Sequence, residues 1–321
     1  MPCINEWSPL KKMVVGIADG ARYPEVDLSV RVVNNCDIHN EQDIPCNPFE
    51  QDVIDQTNED LGQFVKALQS QNVEVVRPHV TETEYYNYCP RDSVFHYDDV
   101  TIATPMPIRA RRNDWKAFAH HLDHVINIEC SFDEQLYNKN AIGPKKGELA
   151  VTEHEPAFDA ANILKANDHI LYLVSNTGNK QGAYLLQEHL GNRAKVHLLE
   201  DVYAFSHIDS TVAFLREGLM LLNPARVKDK TQLPQPFHSW DVIWSPEPTV
   251  VHPTFSTWCS PWVLTVNLVS INENLVCLED NQIELKRLLE KYKIDSIDLP
   301  GRHMINLGGG FHCVSLDLDR D

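Results

Sequence analysis

The sequence predicts an α/β fold in which five ββαβ units close into a ring in the manner of a propeller. Three observations carry that prediction. A helix-then-strand cadence recurs five times, a hairpin signal precedes four of the recurrences, and apolar strands at both chain ends can pair as the missing hairpin. A single domain spanning 1–321 follows. The repeat lies in hydrophobic spacing, because no repeat is visible at the level of residue identity.

Over 57–71 the residues Leu61, Phe64, Val65 and Leu68 fall at i, i+3, i+4 and i+7, one face of a helix. Val73-Glu74-Val75-Val76 then reads as a strand stopped at Arg77-Pro78. Asp114 is placed to cap a second helix carrying Trp115, Phe118, Ala119 and Leu122, which leads into Val125-Ile126-Asn127-Ile128. A third helix over 181–190 stops at Gly191 before Val196-His197-Leu198-Leu199. The strand at 239–244 has no clear helix before it. A helix over 281–292, with Leu285, Leu288 and Leu289 on one face, leads into 294–299 and closes at Pro300.

The hairpins are apolar runs flanking polar turns. They lie at 94–103 around Asp98-Asp99, at 163–174 around Asn167-Asp168, at 212–222 around Glu217-Gly218, and at 263–278 around Asn272-Glu273-Asn274. For the first unit, Met13-Val14-Val15-Gly16-Ile17 and 311–318 supply the pair from opposite ends. Two stretches, 18–52 and 130–155, fit no unit and read as loops over one face, where sites usually lie.

Lys and Arg number 28 against 46 Asp and Glu, leaving a net charge of −18. A field of that sign repels phosphate backbones and anionic lipid, so nucleic-acid and membrane-surface functions are excluded as expectations. Small molecules, cationic ones above all, are the expected partners. No apolar run approaches the roughly 20 residues that cross a bilayer, and Met1-Pro2-Cys3-Ile4-Asn5-Glu6-Trp7 has neither the basic nor the apolar segment of a leader. Eight cysteines with no CxxC pair fit a reducing cytoplasm, where a reactive thiol stays free.

The residues just ahead of each hairpin carry the unusual chemistry. They are Cys89-Pro90-Arg91-Asp92, Phe158-Asp159-Ala160-Ala161-Asn162, His207-Ile208-Asp209-Ser210-Thr211, Cys259-Ser260, and Gly308-Gly309-Gly310-Phe311-His312-Cys313. Equivalent positions of a ring converge on its axis, so a thiol, an imidazole and several carboxylates meet in one pocket. His312 neighbours Cys313, but side chains alternate along a strand, so it is expected to face away. His207, from another unit, is the better base, and Asp159 is placed to orient it. Asp92 and Asp209 are left free to bind something. Carboxylates raise the pKa of a nearby thiol unless the substrate brings a cation, and a planar guanidinium held by carboxylates answers that need.

The strings Asn5-Glu6-Trp7, Cys89 to Asp92, Glu155 to Asn162, His207 to Thr211, Asn223-Pro224-Ala225-Arg226 and Gly308 to Cys313 resemble the arginine amidinotransferase family, in order along nearly the whole chain. The resemblance implies the five-bladed α/β propeller, or pentein fold. It implies Cys313 as nucleophile, His207 as general acid and base, Asp159 as its partner, and Asp92 and Asp209 as guanidinium ligands. Arg226 then grips the substrate α-carboxylate, with Ser260 beside it. The reaction so implied is ping-pong: L-arginine leaves its amidino group on cysteine, L-ornithine departs, and a small amine accepts the group. No cofactor is implied, and a homodimer is a candidate assembly.

Two positions depart from the glycine-specific branch. Ser206 stands where that branch has a larger methionine, and Cys259 where it has serine. Cys259-Ser260 and Leu171-Tyr172-Leu173-Val174-Ser175 look more like the inosamine-phosphate and secondary-metabolite branch, so an acceptor larger than glycine, such as a biosynthetic amine or amino sugar, is expected. The chain is shorter than most relatives between Pro78 and Cys89. An arginine deiminase or dihydrolase of the same fold is the alternative enzyme, and a non-catalytic guanidinium-binding protein the alternative of another class.

Most of these residues have blander readings when taken singly. Cys3, Cys36, Cys46, Cys130 and Cys277 read as inert thiols. His120, His121 and His124 read as solvent-facing, not as a metal site, and Gly308-Gly309-Gly310 lacks the Gly-Lys-Ser/Thr ending of a phosphate loop. Shared location is what favours function.

Overall fold

The computed structural model describes residues 3–38, 40–80, 83–142, 148–255 and 259–321. Met1, Pro2 and the parts of the two long loops at 39 and 143–147 lie outside the described residues.

Strand β1 (Leu10–Val15) is followed by helix α1 (Gln51–Ser70) and β2 (Glu74–Val76). Next come β3 (Val94–Tyr97), β4 (Val100–Ala103) and β5 (Val125–Asn127). The third unit comprises β6 (Ile163–Ala166), β7 (His169–Leu173), α2 (Lys180–Leu190) and β8 (Lys195–Leu199). The fourth comprises β9 (Val212–Arg216), β10 (Leu219–Leu222) and β11 (Asp241–Trp244). The fifth comprises β12 (Val269–Asn272), β13 (Leu275–Glu279), α3 (Ile283–Lys291) and β14 (Asp295–Leu299). The one-turn α4 (Met304–Leu307) and β15 (Ser315–Arg320) end the chain.

These strands form five three-stranded sheets. In each, two strands pair antiparallel and the third runs parallel to the middle one, as in Val94↔Ala103 with Ala103↔Asn127. In the first sheet β15 takes the hairpin partner's place: Val15 faces Ser315 and Leu10 faces Arg320, while Met13 pairs parallel with Val75 on β2. The hairpin turns use left-handed residues at Asp98 (φ 53°), Asn167 (φ 58°) and Gly218 (φ 78°), types that tolerate this conformation.

Local chemistry explains where the helices stop and start. α2 is capped by Asn179, whose side chain accepts from the Gly182 N–H, and ends at Gly191 with φ 57°. α1 begins at Gln51, not at the 57 read from spacing, because Val53 and Ile54 extend its buried stripe; 51–52 are therefore helical, not loop. The helix expected over 114–122 is absent. Two 3-10 turns, Asp114–Ala117 and Ala119–His121, replace it, since the Asp114 carboxylate accepts from Arg111 Nε at 2.8 Å instead of capping, and Phe118 at φ −130° interrupts the turns. The fifth hairpin starts at Val269, not Val263, which belongs to the 3-10 turn Pro261–Leu264. Likewise β15 starts at Ser315, because 311–314 form a turn.

Apolar clusters join neighbouring sheets. Val14 and Leu316 pack with Val94; Phe95 and Ile102 with Ile163 and Ile170; Leu164 and Leu171 with Phe214 and Met220. Leu215 and Leu221 pack with Val276 and Leu278, and Val269 and Cys277 with Met13 and Val15 of the first sheet. The two long loops pack against each other through Val30, Val32 and Val33 on one and Leu136, Tyr137 and Val151 on the other. No helix among the described residues is long and apolar enough to cross a membrane.

Candidate active site

The turns ahead of the hairpins come together. Pro90–Asp92, Ala160–Asn162, Ile208–Ser210 and Pro261–Leu264 are 3-10 turns, and 311–314 is a further turn. Between them opens a pocket whose empty space, open mouth included, is about 730 Å³. Cys313, His207, Asp159 and Asp209 line it, as do Arg226, Ser206, Cys259 and Ser260. Asp92 does not line it; it lies one layer back, 1% exposed. The loop at 18–52 contributes Asn34 to the lining, whereas no described residue of 130–155 reaches it.

A three-glycine approach makes room for the thiol. Gly308 takes φ 86°, and a Cβ on Gly309 would sit 2.6 Å from Cys313 Cβ and 2.9 Å from Cys89 Sγ. Cys313 is 2% exposed. Its backbone N–H donates to Asn267 Oδ1 at 3.0 Å, Asn267 Nδ2 donates to Sγ at 3.0 Å, and Sγ donates to Asp209 Oδ2 at 3.1 Å. The hydrogen bond with Cys89, burial, and the charge of Asp209 push the thiol well above its ordinary pKa.

His207 Nε2 donates to Asp159 Oδ2 at 2.9 Å, and Nδ1 is 3.8 Å from Asp92 Oδ1. Burial opposes its charge, yet Asp92 and Asp159 hold the imidazole well above its ordinary pKa. Burial raises the Asp159 carboxyl, with His207 working against the rise.

Asp92 and Asp209, expected to be free, are each half engaged. Arg111 Nη1 donates to Asp92 Oδ2 at 2.6 Å, and Asp209 Oδ2 accepts from both Cys313 and His312. The buried oxygens left without a hydrogen bond are Asp92 Oδ1, which faces His207 Nδ1 at 3.8 Å, and Asp159 Oδ1. His312 stays out of the pocket as expected, but the reason is the 311–314 turn and not strand alternation; its Nδ1 donates to Asp209 at 2.9 Å.

Arg226 Nη1 donates to the neutral hydroxyls of Ser210 (2.8 Å) and Thr211 (2.7 Å), and among the described residues it has no carboxylate partner. Burial lowers its pKa, the mark of a cation short of counter-charge. Burial also raises the Cys259 thiol, so that side chain stays neutral. Ser260 caps the turn after it by accepting from the Trp262 N–H.

Asp92, His207 and Cys313 present ligand atoms within 4.8 Å of one another. Asp92 is paired with Arg111 and His207 with Asp159. His120 and His124 are exposed, with His120 stacked on His79 at 4.1 Å.

Two residues that bond the site side chains escaped the sequence reading. Asn267 precedes β12 by two residues, as Asp92 precedes β3, and that register would have found it. Arg111 gave no signal, since it sits in the run Arg109-Ala110-Arg111-Arg112 that reads as a solvated face. It is 3% exposed and lies over the rings of Tyr85 and Tyr86 at 5.5 and 5.0 Å.

No family model matches the chain. It is 35% identical over 338 residues to inosamine-phosphate amidinotransferase 1 of Streptomyces glaucescens, covering 98% of this chain and 95% of that one. It is 28% identical over 344 residues to the L-arginine:L-lysine amidinotransferase of Pseudomonas savastanoi pv. phaseolicola, covering 98% and 93%. The solved inosamine-phosphate amidinotransferase of Streptomyces griseus superposes with a TM-score of 0.94 at 33% identity, over 99% of this chain and 96% of that one. The likeness defines a transferase of amidino groups. The chain belongs to the amidinotransferase family and stands nearer its inosamine-phosphate branch.

Proposed function

We propose that this protein moves the amidino group of L-arginine through an amidino-Cys313 intermediate to a primary amine, releasing L-ornithine. The observation that carries the reading is the pair of buried carboxylate oxygens without a hydrogen bond, Asp92 Oδ1 and Asp159 Oδ1, beside Cys313 and His207. A buried acceptor left unsatisfied costs about 1–3 kcal/mol, more if charged. A planar guanidinium offers the donors and the positive charge that relieve it. Arg226, short of counter-charge at the same pocket, is the partner for the substrate α-carboxylate.

The resting thiol is protonated, and the substrate cation offsets the carboxylates that keep it so. Sulfur bonds to the guanidinium carbon and the bond to the ornithine nitrogen breaks. His207 gives its proton to that nitrogen, and the proton released by the thiol reloads His207, so the count closes. An acceptor amine then attacks the amidino carbon and returns the thiol. Ser206 leaves room beside His207, and the relatives named for inosamine phosphate and for lysine fit an acceptor larger than glycine in a biosynthetic pathway. The cyclic set of apolar contacts between neighbouring sheets supports a closed five-bladed propeller, one domain over the whole chain.

Incubation with arginine, alone and with a panel of amines, tests the reading. Ornithine in amounts exceeding the enzyme should appear only when an amine is present, while arginine alone should give about one equivalent per site and an amidino adduct on the Cys313 peptide. Citrulline or ammonia as the main product would make this a hydrolase, and no turnover would leave a guanidinium binder.

A further inference from the structure

We propose that His312 is a positioning residue of the reaction, holding Asp209 against the Cys313 thiol and tying it to the buried ion network at Glu6. The proposal rests on the amidino-transfer reading. Two carboxylate–imidazole pairs flank the one thiol: Asp159–His207 at the pocket, and Asp209–His312 behind it. His312 reaches no part of the pocket, so it acts only through Asp209.

The rear pair is fixed at every joint. His312 Nδ1 donates to Asp209 Oδ2 at 2.9 Å, the oxygen that also accepts from Cys313 Sγ at 3.1 Å. The other ring nitrogen, Nε2, is 3.5 Å from Glu6 Oε2. Glu6 Oε1 in turn accepts from the Lys165 backbone N–H at 3.0 Å, and Oε2 lies 3.7 Å from Arg91 Nη1. Arg91 Nε donates to the His312 carbonyl at 2.7 Å, and Arg91 is also paired with Asp317. Glu6, Arg91 and His312 come from three separate sequence motifs, and this chain of contacts gives all three one task.

Asp209 is faced by His312 and Cys313 from the C-terminal turn and by His207 from its own. Arg91 and Cys89 face it from the 89–92 turn, Arg226 from the segment after β10, and Cys259 from the turn before β12. Burial alone would raise its carboxyl; the His312 hydrogen bond heads the contributions that hold it down, to about 2. Without that bond the carboxylate is free to swing from the thiol and takes up a proton more readily. A neutral Asp209 attracts no guanidinium.

The test is the ornithine burst from arginine, followed against pH and arginine concentration in the full chain and in His312→Asn, His312→Gln and His312→Ala. An Asn amide nitrogen falls near the position of Nδ1 and keeps the bond to Asp209, whereas Gln places its amide near Nε2 and misses it. Ala and Gln should lose about ten- to hundredfold in second-order rate constant, the scale of a hydrogen bond to a charged group. Their acid limb should move up by about one pH unit or more. Asn should stay within about threefold of the wild type with its limb in place. If Asn is as impaired as Ala and no profile moves, His312 is merely structural and the proposal fails; if Ala does not fold, Asn against Gln decides. A wild type that releases no ornithine overturns the transfer reading itself.

Discussion

At their inner ends the five units repeat one another. Four present a one-turn 3-10 helix ahead of the hairpin, and the first unit presents the turn at 311–314 ahead of β15. On the outside they do not: α1 runs 20 residues, α2 11 and α3 9, while the second and fourth units carry only 3-10 turns there. An inner turn has to deliver a particular side chain to one point. An outer element only has to cover a sheet, and Phe118 (1% exposed) and Phe237 (0%) do so from irregular backbone as fully as Leu186 (0%) does from α2. Inner substitutions should therefore remove chemistry and spare the fold, and outer ones the reverse.

The largest separation is expected at Cys313→Ala. Ornithine release and the peptide adduct should vanish while the circular dichroism spectrum stays that of the wild type. An adduct mapping to Cys259 or Cys89 instead would break the comparison at its centre.

Asp159→Asn comes next. It should slow the arginine half-reaction by about 10²–10⁴-fold, the usual worth of a positioned acid or base. Its sign in pH is fixed by His207, whose protonated form is the one stabilised. Removing a carboxylate partner lowers the imidazole pKa, so the alkaline limb of the half-reaction should move to lower pH. A limb that stays put would mean that Asp159 only shapes the pocket. The same linkage makes the His207 contribution to stability complete below its unfolded pKa and lost as pH rises through its raised folded value.

On the outer side, Leu186→Ala in α2 empties a fully buried site. It should cost about 2–5 kcal/mol in denaturant unfolding, with kcat per folded molecule unchanged. A loss of kcat at full folding would show that the helices do more than cover. The smallest effect is expected at Gly191→Ala. Its Cβ meets nothing within 4 Å, so only the glycine-type backbone (φ 57°, ψ −122°) is strained, worth about 1–3 kcal/mol.

The sequence made the outer layer legible only where helical spacing was long. Trp115, Phe118 and Leu122 keep the face that spacing assigned them, packed with Val14 and Leu316, yet the backbone beneath is not α-helical because Arg111 draws the Asp114 carboxylate inward. With that carboxyl buried, Asp114 has its pKa raised to about 7, burial outweighing Arg111. At the site, the gathering of Cys313, His207, Asp159 and Asp209 was legible, because each precedes a hairpin at a repeating register, while Arg226 was reached only through the family resemblance. The engagement of Asp92 by Arg111, and of Cys313 by Asn267, was not.

What the sequence determined by itself is local: the hairpins with their left-handed turn residues, the stop of α2 at Gly191, and the set of turns that carry chemistry. Alternation, capping and turn preference act over a few residues, so they can be read without knowing neighbours. What only the tertiary structure decided is which atom of each side chain is already taken. His312 meets Asp209 across 103 positions, Arg91 meets Asp317 across 226, and Asn267 meets Cys313 across 46. Those bonds depend on distances in space between turns that the chain itself leaves unrelated, and they separate the carboxylate oxygens that hold the protein together from the two buried ones, Asp92 Oδ1 and Asp159 Oδ1, left without a hydrogen bond.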